Sequence, residues 1–165
     1  MPYGISRLGI QQREFVSKSW GWEEILHNNA AMGYCMKKLN IAAGHMTSMH
    51  RHPLRDAVIW VVSGQLIIST VPATFDPQHC SLYGITPILL KEGEAVHIEL
   101  GAWHRLLAVQ DTIIAEASTY REDDDKEVLD LGDTANKAGI GFPHELPDDT
   151  THRLNQHFPG SDAAS

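Results

Sequence analysis

The sequence predicts an all-β fold, a barrel or two-sheet sandwich of antiparallel strands. Short runs of β-branched and apolar residues recur through the middle of the chain, and glycines punctuate them. The 165 residues are 42% hydrophobic, which is enough for one domain with a substantial core.

The elements follow in order. Residues 1–17 are polar and weakly periodic and read as an arm or an edge strand. Lys18-Ser19-Trp20-Gly21-Trp22-Glu23-Glu24 is aromatic and reads as a packed start to the barrel. Tyr34–Ile41 and Thr47–His52 read as strands, the second ended by Pro53. Ala57–Ser63 is a β-branched run that stops at Gly64-Gln65, a hairpin turn, and Leu66–Val71 continues as its partner. Residues 72–86 are turn-rich and form the longest loop. Ile88–Leu90, Ala95–Glu99, Arg105–Ala108 and Thr112–Ser118 complete the series, with Gly93 and Gly101 between them. From Arg121 the chain turns acidic, and its tail is rich in Pro, Asp and His. These patterns divide the chain into an N-terminal arm (1–17), a barrel (18–125) and a C-terminal extension (126–165).

Bulk properties exclude several partners. A formal net charge of -8 argues against nonspecific nucleic-acid binding. No apolar run approaches the roughly 20 residues of a membrane helix. The first residues, MPYGISRLGIQQREF, lack an apolar signal core, so a cytoplasmic location is expected. Cys35 and Cys80 form no metal-binding spacing and read as buried thiols.

Ten histidines make each one a question of position. His50 and His52 are two apart, so an extended strand aims both at one face. His104 joins them if a second strand pairs nearby. Three neutral imidazoles in a small barrel suit zinc, copper, iron or nickel. His97 alternates with Val96 and Ile98, and it becomes a substrate contact or proton carrier only if its face is the site's face. Glu116, on the strand after His104, is a candidate base if it points inward. Arg55 reads either as a clamp for a carboxylate or phosphate or as a surface ion pair, whereas Arg105 reads as a surface ion pair. Glu122-Asp123-Asp124-Asp125 reads as a solvated turn. Trp60, Trp103, Tyr34, Tyr83, Met46 and Met49 read as packing residues.

The glycines and histidines also fit two known motifs. G-x5-H-x-H with a following Gly falls on Gly44, His50, His52 and Gly64, and G-x7-G-x2-H falls on Gly93, Gly101 and His104. In these the chain resembles the cupins, and within them the type II phosphomannose isomerases and related sugar-processing proteins. Supporting pieces are Lys18-x-Trp20-Gly21, Trp60-Val61-Val62-Ser63-Gly64 and Val96 to Leu106. The resemblance implies a jelly-roll barrel of two antiparallel sheets and one divalent transition metal, whether zinc, iron, nickel or manganese. It places the metal on His50, His52 and His104. Counted back from Gly64, the family's metal-binding Glu falls on Ala57 and its Arg on Arg55. Asp56 is the neighbouring carboxylate. On a regular strand it faces the other way, and only a bulge would make it a ligand.

Three functions are compatible with such a site. The resemblance implies a sugar or sugar-phosphate isomerase with the metal as Lewis acid, acting on a small molecule. The alternatives are a three-His Fe(II) dioxygenase and a metal-stabilised barrel that binds a small ligand without catalysis. A homodimer is expected, with the arm and the aromatic Trp20 and Trp22 at its interface.

Overall fold

The computed structural model describes residues 6–71, 86–120, 122 and 125–130. Residues 72–85 of the expected 72–86 loop, with Cys80 and Tyr83, and residues 131–165 of the expected extension lie outside the described residues. After a 3-10 turn at Ile10–Gln12 come eleven strands: β1 Glu14–Lys18, β2 Gly21–Asn29, β3 Tyr34–Ile41, β4 Met49–Arg51, β5 Ala57–Ser63, β6 Gln65–Val71, β7 Thr86–Lys91, β8 Ala95–Ile98, β9 Trp103–Ala108, β10 Thr112–Thr119 and β11 Glu127–Asp130.

They form two antiparallel sheets. One has the order β1-β2-β3-β10-β5-β8 and the other β11-β4-β9-β6-β7. No described helix is long and apolar enough to cross a membrane.

Alternation of side chains builds the interior. In β5, Ala57, Ile59 and Val61 are buried while Val58, Trp60 and Val62 are exposed. In β3 the buried row is Cys35, Lys37, Leu39 and Ile41. Period two therefore sends one charged residue inward with three apolar ones. The inward rows divide the barrel lengthwise. One end is filled by an apolar cluster that includes Leu39, Ile41, Val61, Leu66, Ile68, Leu106 and Ile114. At the other end the same strands present Lys37, Ala57, His104 and Glu116 to an open cavity.

Two glycines hold the turns. Gly64, at φ 92°, joins β5 to β6, and a Cβ there would lie 2.5 Å from the carbonyl oxygen of Asp111. Gly21, at φ 144°, opens β2, and a Cβ there would lie 2.0 Å from the carbonyl oxygen of Asn40. Both obstacles are backbone, so any side chain would force the sheet apart.

The sheets reach beyond the expected boundaries. Lys18 ends an edge strand that begins at Glu14, inside the expected arm, and pairs with β2. In the expected extension, β11 pairs with β4, matching Glu127 to Arg51 and Val128 to His50. An ion pair of 2.7 Å between Arg51 and Glu127 fastens that edge, and the Arg51 guanidinium stacks 4.9 Å from the Trp103 ring centre. Cys35 is buried, as are Met46, Met49 and Trp103, in packing positions.

Candidate metal centre

The site begins with strand pairing. His50 in β4 and His104 in β9 stand opposite one another in the ladder. Their ring centres are 4.4 Å apart. His52 follows just past the end of β4, its ring centre 5.0 Å from that of His50 and 6.0 Å from that of His104. One nitrogen from each ring lies within 4.8 Å of the others.

Backbone carbonyls decide which nitrogen that is. His50 donates its Nδ1–H to the carbonyl of Ser48 at 2.7 Å, and His104 donates its own to Ala102 at 2.9 Å. His52 donates Nδ1–H to the carbonyl of Asp125. All three Nε2 atoms are left with lone pairs directed into the same space. Ligating histidines in metal sites are held in this way by a partner on the other nitrogen.

Electrostatics reinforce the donor set. Burial holds the His50 imidazole well below its ordinary range, with His104 and Lys126 adding repulsion. Burial lowers His104 too, against an opposing hydrogen bond to Ala102 and the charge of Glu116. His52 is lowered to about 4, mainly by burial, against its bond to Asp125. Neutral imidazoles are what a metal needs, and these donors and their surroundings fit a divalent ion of the zinc type.

A stability prediction follows for the metal-free protein. Folded His52 titrates at about 4, while in the unfolded chain it titrates near ~6.5. As pH falls through that window the unfolded state takes up protons that the folded state refuses. The contribution is complete above the unfolded value and is lost towards the folded one. Urea midpoints of metal-free protein should therefore fall steadily as pH is lowered through this range. A flat profile would contradict the burial of the three rings.

The remaining expected residues fall on both sides of the wall. Arg55, Ala57 and Glu116 line a cavity of about 160 Å³ together with the histidines. Asp56 and His97 do not: they pair with one another at 2.9 Å on the outside, each about half exposed. His97 sits opposite Val58, on the outward row of β8 and β5, so its face is not the site's face. Arg105 is buried in β9, where a surface ion pair was expected. Trp20 packs against the apolar cluster and lines the cavity.

The acidic turn is a further correction. Asp125 is buried, its carboxylate accepting the Leu54 backbone N–H at 2.9 Å while its carbonyl holds His52. One residue thus fixes both ends of the segment that carries the third imidazole.

Sequence reasoning missed a buried charge network facing the histidines. Lys37 Nζ lies 3.1 Å from Glu116 and 3.8 Å from Glu23, and Lys18 Nζ lies 3.2 Å from Glu23. Lys126 stands at the mouth with a lowered pKa, caused by partial burial and then by repulsion from Lys18 and Lys37. The signal for Lys37 was its place in an inward row between Cys35 and Leu39.

No protein-family model matches the chain, and no curated protein matches it. Solved structures do. The capsular polysaccharide assembling protein CapF of Staphylococcus aureus superposes with a TM-score of 0.57 at 17% identity, over 72% of this chain and 33% of CapF. KdgF of Halomonas superposes with a TM-score of 0.56 at 16% identity, over 72% of this chain and 96% of KdgF. The fold is a cupin barrel. The nucleoside dehydratase Pac13 of Streptomyces agrees, with a TM-score of 0.59 at 6% identity over 77% of this chain and 92% of Pac13. This chain spans a third of CapF and nearly all of the other two. At these identities the likeness concerns the cupin barrel itself, with its two sheets and a cavity between them.

Proposed function

We propose that this cupin is a metal-dependent enzyme acting on a small, oxygen-rich substrate of the sugar type. The observation that carries the reading is the convergence of three Nε2 atoms whose Nδ1–H groups are all tied to backbone carbonyls. Similar barrels serve a capsular polysaccharide assembling protein and a nucleoside dehydratase, which supports a carbohydrate-like substrate.

When bound, a divalent metal supplies Lewis acidity that polarises a carbonyl. The chain's own residues supply the rest. Glu116 is buried, faces the imidazoles across the cavity, and is the base for a proton on the carbon beside that carbonyl. Returning that proton to the former carbonyl carbon, while the hydroxyl proton passes to the former carbonyl oxygen, completes an aldose–ketose exchange with no net loss of atoms. Lys37, 3.1 Å from Glu116, orients its carboxylate. The apolar cluster below the site excludes water from that end.

The experiment is metal analysis of protein purified without a histidine tag, followed by turnover of aldoses and ketoses under nitrogen. Anaerobic turnover with zinc or nickel supports the isomerase reading. Strict dependence on O2 and Fe(II) replaces it with an oxygenase.

Ala57 is buried, lines the cavity and leaves room where a fourth ligand belongs. Ala57→Glu should tighten zinc binding by about tenfold or more, equivalent to ~1.4 kcal/mol. Asp56→Ala should leave zinc affinity unchanged, since its carboxylate is engaged by His97 outside the barrel. Competition with a chromophoric chelator measures both, and the opposite pattern would overturn the register of β5.

The protein is also proposed to be a homodimer. The outer face of the six-stranded sheet exposes Tyr34 and Met36 on β3 and Val58, Trp60 and Val62 on β5, the two strands that flank β10. Light scattering at micromolar concentration should give twice the 18.3 kDa chain mass. A monomer mass would refute the dimer.

A further inference from the structure

The cavity has a cationic half beside its imidazoles. Lys18, Lys37, Arg55 and Lys126 line it, together with the carboxylates of Glu23, Glu99, Glu116 and Glu122. Glu23 and Glu116 neutralise Lys18 and Lys37 through the ion pairs described above. Neither Arg55 nor Lys126 has a carboxylate partner among the described residues.

Arg55 is the more telling of the two. The residue is 5% exposed, and among the described residues its buried Nε has no hydrogen-bond partner. Nη2 reaches the carbonyl of Glu122 only at 3.5 Å, and Nη1 lies 3.5 Å from Nε2 of His52. A guanidinium carries five donors in a planar fork. Burying that fork with its donors so poorly met is costly unless a ligand supplies oxygen acceptors. The acceptor that matches the fork is a carboxylate or phosphoryl group held bidentately.

We propose that Arg55 and Lys126 form an oxyanion subsite next to the metal centre, and that the substrate is a small 2-hydroxy- or 2-oxo-carboxylate of the sugar-acid type. This rests on the metal-dependent reading above. The placement of Arg55 selects the class. Its fork touches the metal-facing nitrogen of His52 itself, so the anionic group and the oxygen offered to the metal are neighbours in the ligand. A carboxylate on one carbon and a hydroxyl or carbonyl on the next satisfy that constraint. A phosphate ester sets its charge one bridging oxygen further away. Size agrees: the cavity of about 160 Å³ resembles one of ~150 Å³ that admits a benzene ring. Only a compact ligand, or the acid end of a longer one, is enclosed.

The test titrates zinc-loaded full-length protein with D-glycerate, glycerol and inorganic phosphate, by calorimetry and by tryptophan fluorescence, since Trp20 lines the cavity. Glycerate should bind at least about tenfold more tightly than glycerol, and Arg55→Met should lose about tenfold or more of that affinity while keeping its zinc. Lys126→Met, at the cavity mouth, should weaken glycerate binding and flatten its salt dependence. Equal binding of glycerol, undiminished glycerate binding in a zinc-loaded Arg55→Met protein, or an unaltered Lys126→Met protein each overturns the subsite. Phosphate binding more tightly than glycerate overturns the carboxylate class. Failure of the wild-type chain to take up zinc would remove the metal reading alone. Metal-free protein would then still report the subsite, through glycerate binding that Arg55→Met abolishes. Absence of that binding would overturn the subsite as well.

Discussion

His104→Ala should give a folded barrel that retains no metal and turns over no substrate. The residue stands opposite His50 in the ladder between β4 and β9, and its Nε2 is one of the three ligand atoms that converge among the described residues. Losing a group that merely orients a ligand costs ~10–100-fold in metal affinity, and losing a ligand costs more. The fold should survive. The substitution removes one hydrogen bond, to the Ala102 carbonyl, worth about 1 kcal/mol. It also removes an imidazole whose charged form burial opposes. The urea midpoint of the metal-free variant should lie close to that of metal-free wild type, while elemental analysis finds it empty. A variant that kept stoichiometric metal would refute the three-His centre.

Asp125→Ala should damage stability and metal binding together. The carboxylate holds the Leu54 N–H at 2.9 Å in a buried setting. Leaving that donor unpaired costs roughly 1–3 kcal/mol. The backbone carbonyl of the same residue orients His52, so freeing the segment should also loosen zinc by ~10–100-fold, the range for an orienting partner. Asp125→Asn keeps an acceptor for Leu54 and should recover much of both losses. Urea unfolding and chelator competition, run on the three proteins, read the two effects separately. Wild-type zinc affinity in Asp125→Ala would show that His52 is positioned by β4 alone.

Much of this architecture was legible in the sequence. Tyr34–Ile41 and Ala57–Ser63 are strands with the bounds that their alternation implies. Such segments bury one face, and period two then fixes both extent and facing. The same rule turned Asp56 and His97 outward and left Ala57 inside. β2 and β11 were hidden because charge masks their pattern. Glu23 and Glu24 are consecutive, so they point to opposite sides, yet both are buried. Glu23 meets Lys18 and Lys37 inside, whereas Glu24 is held by Arg13 at 2.7 Å, and that hydrogen bond lowers its pKa. β11 follows an acidic run that resembles solvated turn sequence, and only its pairing to β4 shows that Asp125 is interior. His50 and His52 were legible because their spacing is local, and His104 because it completes the second glycine–histidine motif. The charges opposite them were not, because their meeting depends on strands that pair far apart in sequence.

The lengthwise division of the barrel has a consequence for traffic. The apolar cluster seals one end of the interior, and the exposed residues lining the cavity, among them Glu99, Glu122 and Lys126, all belong to the other. Among the described residues that end is the way in, so the substrate and product of the proposed reaction would share it. A departing product clears the way for the next molecule to arrive, so the two compete for one passage rather than moving in a line. Crowding at that doorway, by excess substrate or by accumulated product, should slow every cycle even when the chemistry itself is fast.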